Sequence, residues 1–301
     1  MQTMRLKLLG ATVLSLGLLG AACANTSPGG GPGDGSTGGS TGTGGIPHPT
    51  GADQVVLRIE SGGGFIPIEY SLTSMPIVSL FGDGLAITPG AQIEIYPGPA
   101  LPASDQARLS ADAIQLLLQA AIDVGLDTDR TYTDMGSVAI ADAATTTFTL
   151  VVDGQTHTTA VYALGELGPK PETMSADEYQ ARKDLLAFET KATDLSWLPD
   201  GSVTDQGTYR PSGVRVFSGE YRPDDARTEP AIEWPFTPGL ATFGDPVDNG
   251  PAGKRCGAVT GDAAATLLPL AEEANQLTPW TSDGVRYGLL FRPLLPDESG
   301  C

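Results

Sequence analysis

Two histidines, His48 and His157, and three cysteines, Cys23, Cys256 and Cys301, stand among 36 acidic and 17 basic side chains. That inventory decides which chemistry is open. A Ser-His-Asp relay needs an imidazole between nucleophile and carboxylate. His48 lies in a Gly- and Pro-rich linker, so only His157 could serve, and a lone histidine is expected to be a packed or edge residue instead. Zinc sites ask for convergent histidines or cysteines, and neither three histidines nor an H-E-x-x-H run exists. Gly253-Lys254 is followed by Arg255 and lacks the upstream glycine of a phosphate-cradling loop. Carboxylates are what remain, and paired acids can cleave glycosides. No pair is singled out by spacing, and a glycan groove usually needs more aromatic side chains than the 6% present. Asp123 with Asp127-Thr128-Asp129, and Asp245 with Asp248-Asn249-Gly250, could hold Ca²⁺ loosely, but neither spacing fits an EF-hand loop. No cofactor and no metal are expected.

The cysteines carry the clearest expectations. Arg5 and Lys7 precede an apolar run from Leu8 to Leu19, shorter than the roughly 20 residues a membrane span needs. Small residues then lead to Cys23, so residues 1–22 read as a secretory signal. Gly20-Ala21-Ala22-Cys23 resembles the bacterial lipobox, with Gly20 where leucine is usual, and Cys23 is expected to carry the lipid. The alternative is cleavage before Asn25 at Ala22-Cys23-Ala24. In an oxidising compartment Cys256 and Cys301 are then the only mature pair, and are expected to join in a disulfide.

Residues 23–52 form a lipidated cysteine and a Gly/Ser/Thr/Pro stalk, too poor in apolar side chains to fold. As a flexible coil it spans roughly 30 Å. Its Gly33–Gly38 and Gly38–Gly42 runs match a dinucleotide fingerprint and a nucleophile elbow, but no strand and helix flank them. The formal charge of −19 disfavours nucleic acid and anionic lipid as partners.

From Asp53 onward the pattern predicts an α+β fold of short, mostly antiparallel strands and hairpins with about three helices. It divides into subdomains 53–168 and 169–301 near Gly168. Val55–Glu60 and Phe65–Tyr70 read as a hairpin across Ser61-Gly62-Gly63-Gly64, and Ile77–Gly82 and Leu85–Thr88 as another across Asp83-Gly84. Gln92–Tyr96 reads as a further strand. Thr145–Val152 and Gln155–Ala163 flank Asp153-Gly154, which places Leu150 opposite His157. Helices are expected after Ser110, after the Ser175/Glu178 capping box, and over Asp262–Gln276, where Pro269 should kink or divide the last. In the second, Arg182, Lys183, Glu189 and Lys191 are expected to face water. Gly213–Ser218, Ile232–Phe236 and Val285–Arg292 read as strands.

Phe148–Glu166 (FTLVVDGQTHTTAVYALGE) and the tail from Thr278 (TPWTSDGVRYGLLFRPLLPDESGC) resemble secreted lipoproteins of high-GC Gram-positive bacteria. The resemblance implies location and no activity. The expected role is a non-catalytic binding or interaction module, lipid-anchored on the outer face of the cell membrane. It would touch the membrane only through its anchor and engage an envelope protein or small ligand. The alternatives are a soluble secreted form and a carboxylate-dependent envelope hydrolase acting on glycan or peptide.

Overall fold

A computed structural model describes residues 44–93, 95–133, 135–136, 140–224, 226–247 and 253–301. The signal, Cys23, most of the stalk and Asp248-Asn249-Gly250 lie outside the described residues. The fold is α+β, with two mostly antiparallel sheets of short strands.

The first sheet holds β1 (Val55–Gly62), β2 (Val78–Phe81), β3 (Leu85–Pro89), β4 (Ser104–Leu109), β5 (Arg130–Tyr132), β6 (Thr145–Val152), β7 (Gln155–Tyr162) and β8 (Val203–Thr208). They run in the order β5-β7-β6-β1-β2-β3-β4-β8, antiparallel throughout except β5 beside β7. Strict alternation in β6 turns Phe148, Leu150 and Val152 inward. The Asp153-Gly154 turn sets its register with β7: both residues take positive φ, at 52° and 71°, as a type I′ turn demands. Leu150 therefore faces His157, as expected.

Two helices cover the inward face. In α2 (Ala111–Asp123) the Ser110 side chain accepts from the Ala113 amide, and Ile114, Leu117, Leu118 and Ala121 are buried. In α3 (Ala176–Thr193) Ser175 accepts from the Glu178 amide, and Leu185, Phe188 and Ala192 join the same core. α3 thus packs in the first sheet's core, and the next strand after β8 begins at Gly213.

The second sheet holds β9 (Gly213–Glu220), β10 (Ile232–Glu233), β11 (Asp245–Pro246), β12 (Arg255–Thr260), β13 (Trp280–Ser282) and β14 (Val285–Pro293), ordered β10-β13-β14-β9-β12-β11. Its core gathers Trp234, Trp280, Phe291, Val214 and Val216 against Leu267 and Ala271 of α4 (Gly261–Glu273). That helix runs through Pro269 without dividing. A smaller cluster of Phe81, Ile87, Tyr209 and Leu295 draws on both sheets' neighbourhoods.

Three expectations need correction. Phe65–Tyr70 is no strand; the segment carries the short helix α1 (Ile68–Thr73), and β1 pairs with β2 and β6 instead. Pro67, which has no amide to donate to a ladder, starts that helix. The described residues of 92–96 belong to neither sheet. Arg182 does not face water: its side chain is 0% exposed.

Candidate functional site

A concavity forms where α3 ends above β3, β4 and β8. Asp194 closes the helix and starts a 3₁₀ turn, Leu195–Trp197, by accepting the Ser196 amide at 3.0 Å. Hydrogen bonds from Ser196 hold the Asp194 carboxyl below the usual carboxylate range. The chain then crosses Pro199-Asp200-Gly201 into β8, the sheet's outermost strand. Between turn and strands lies an open cleft of about 830 Å³. Asp105, Asp194 and Asp200 bring carboxylates to it, and Thr88, Ser196 and Gln206 add neutral polar groups. No Lys, Arg or His lines it among the described residues. The cleft is therefore acidic, hydrated and suited to a cationic or polyhydroxylated guest.

Acid–base catalysis by a carboxyl pair would need one member held protonated. The carboxyl that burial pushes up, Glu189, sits on α3 outside this lining. His157 is half-buried with its Nδ1 4.0 Å from Asp129, whose carboxylate accepts the Thr158 amide at 2.7 Å. Asp129 thus ties a loop to β7, and Asp123 accepts from Gln119 one helical turn away. No group of three or more acidic, histidine or cysteine ligands converges among the described residues.

Cys256 of β12 and Cys301 lie at bonding distance, S–S 1.97 Å with Cα atoms 6.1 Å apart. They hold down the C-terminal segment that follows β14. Arg58 of β1 meets both oxygens of Asp297, at 2.9 and 2.8 Å. Glu298 takes the Leu295 amide at 3.0 Å and the Arg292 guanidinium at 2.6 Å, with Arg215 at 3.9 Å. Burial alone would raise the Glu298 carboxyl; the Arg292 bond, the amide and the two guanidinium charges outweigh it and hold it low. Tyr209, which donates to the Leu294 carbonyl, is pushed up to about 12 by burial and by the nearby Glu298 and Asp297 charges. The signal for this arrangement was present in the acids of the tail, but nothing local pointed to Arg58, more than two hundred residues earlier.

No family model, curated protein or solved structure matches this chain.

Proposed function

We propose that this protein is a lipid-anchored, extracytoplasmic binding module of the kind found among secreted lipoproteins of high-GC Gram-positive bacteria, and that its acidic cleft receives a small cationic ligand. The observation that carries the reading is the cleft lining, three carboxylates with no cationic side chain among the described residues that line it. In a chain of net charge −19 the surrounding field adds to the attraction. The N-terminal signal and the stalk support a position outside the membrane, where such a domain meets solutes or envelope proteins.

Calorimetric titration of the full chain with spermidine tests the ligand class. Asp105→Asn combined with Asp200→Asn should weaken binding about tenfold, two exposed charge contacts at roughly 0.5–1 kcal/mol each. Affinity should fall as salt rises. Salt-independent binding, or binding indifferent to both substitutions, rejects the cleft as the site. Turnover of an envelope glycan or peptide abolished by Asp105→Asn or Asp200→Asn would make the protein a hydrolase instead.

A further inference from the structure

The face of the first sheet turned away from α2 and α3 is unevenly covered. Arg58, Glu60 and Gly62 of β1 lie opposite Thr149, Thr147 and Thr145 of β6, and period two puts them on the side away from Leu57, Ile59, Phe148 and Leu150. Asp297 closes the Arg58 end. At the other end, the segment linking β1 to β2 forms one wall of a groove of about 300 Å³. Its lining includes Glu60, Ser61, Ser71, Thr145, Thr147 and, at the base, the buried Arg292.

That wall is fixed at both ends. Gly63 and Gly64 turn the chain at φ +77° and +76°, and the Phe65 amide donates to the Asp142 carbonyl at 3.1 Å. At the far end Arg292 Nε donates to the Ser74 carbonyl at 2.8 Å, and Met75 packs against the Phe81 cluster. Between these ties α1 buries no residue, and Phe65 and Tyr70 are 89% and 70% exposed. Two rings held in water on an anchored segment call for a partner surface.

The groove's chemistry narrows that partner. Serine and threonine hydroxyls each donate and accept, and Glu60 accepts. Arg292 spends Nε on Ser74 and Nη1 on Glu298, while its Nη2 has no hydrogen-bond partner among the described residues. Glu298 already balances the guanidinium charge, so a free anion gains little here. Among the described residues a compact cation finds one carboxylate in the lining, Glu60. A neutral polyol satisfies the set, because its hydroxyls alternate as donors and acceptors and its C–H face suits an exposed ring. We propose that this groove binds the end of a neutral saccharide, with the exposed Tyr70, which adjoins Ser71 in sequence but lies outside the groove's lining, packing on one face of the sugar. Aromatic content too low for an extended groove is sufficient for a site of one or two sugar rings. The proposal stands apart from the acidic cleft.

Saturation-transfer NMR on the full chain, with chitotriose and maltotriose as probes and phosphate and spermidine as controls, tests it. At least one saccharide should receive saturation. Thr147→Val and Ser71→Ala should each weaken that saccharide about five- to tenfold, the worth of one hydrogen bond. Tyr70→Ala should weaken it at least as much, all three with an unchanged thermal midpoint. The double substitution at Asp105 and Asp200 should leave saccharide binding intact, which separates this site from the cleft. No transfer to either saccharide, or equal transfer in all three groove variants, overturns the proposal.

Discussion

The Arg182 guanidinium lies at the junction of α3 and β7, donating to the Tyr162 carbonyl at 2.8 Å, pairing with Glu178 at 3.2 Å and resting over the Tyr132 ring. Spacing along α3 sorted it with Lys183 and Lys191, since a helical pattern assigns charge to solvent by type alone. Arg182→Ala would strand the carbonyl and leave Glu178 without its partner. A loss of about 3 kcal/mol is expected, read by urea denaturation, because removing one member of a buried pair costs more than the pair contributes. An unchanged midpoint would show that the guanidinium is not what ties the helix to the strand. Glu298 makes a second residue-scale prediction. Its folded carboxyl is held below the ordinary 4.5, so its contribution is present above that value and disappears as pH falls through the folded pKa. Glu298→Gln should lower the thermal midpoint at neutral pH and flatten its decline as pH falls below the ordinary carboxyl value of 4.5. Parallel curves for the two proteins would contradict this.

At the scale of elements, the hairpin around Asp153-Gly154 was legible because local backbone chemistry dictates both turn and register. The same Asp-Gly signal recurs at Asp283-Gly284, where β13 turns into β14 with both residues at positive φ. The short β13 escaped notice because three residues cannot display a period. β8 escaped for a different reason: as an outermost strand with most residues exposed it alternates nothing. The C-terminal segment is an element held by its partners rather than by regular structure. Cys301→Ser frees the chain end from β12, and the chain-entropy estimate for a loop of this length is roughly 4 kcal/mol. Denaturation should register most of that loss. Hydrogen exchange should show the Leu295 and Glu298 amides losing protection before those of β6. Equal stability of the oxidised and Cys301→Ser proteins would mean that the ion pairs alone hold the segment.

For the whole molecule, the proposed anchor at Cys23 would set where every other interaction takes place. Metabolic labelling with a palmitate analogue should mark the wild type and leave Cys23→Ala unmarked and released to the medium; equal labelling of both would refute lipidation. The expectation rests on a linear code of charge, apolar run, small residues and cysteine, which a processing enzyme reads from an extended chain and no fold need assemble. The α+β class was equally open to linear reading, since turn residues and the shift of period from 2 to 3.6 are local properties. The expected pairing of Cys256 with Cys301 rests on elimination, with Cys23 read as the lipid-bearing residue. Only tertiary structure decided that α3 belongs to the first sheet, that Asp105 and Asp200 share a cleft, and that Arg292 lines one groove with Ser71 and Thr147. Those neighbours come together through strand order and packing across long stretches of chain. Residue type states what a side chain can bond, but not which distant partner the sheet order will bring within reach.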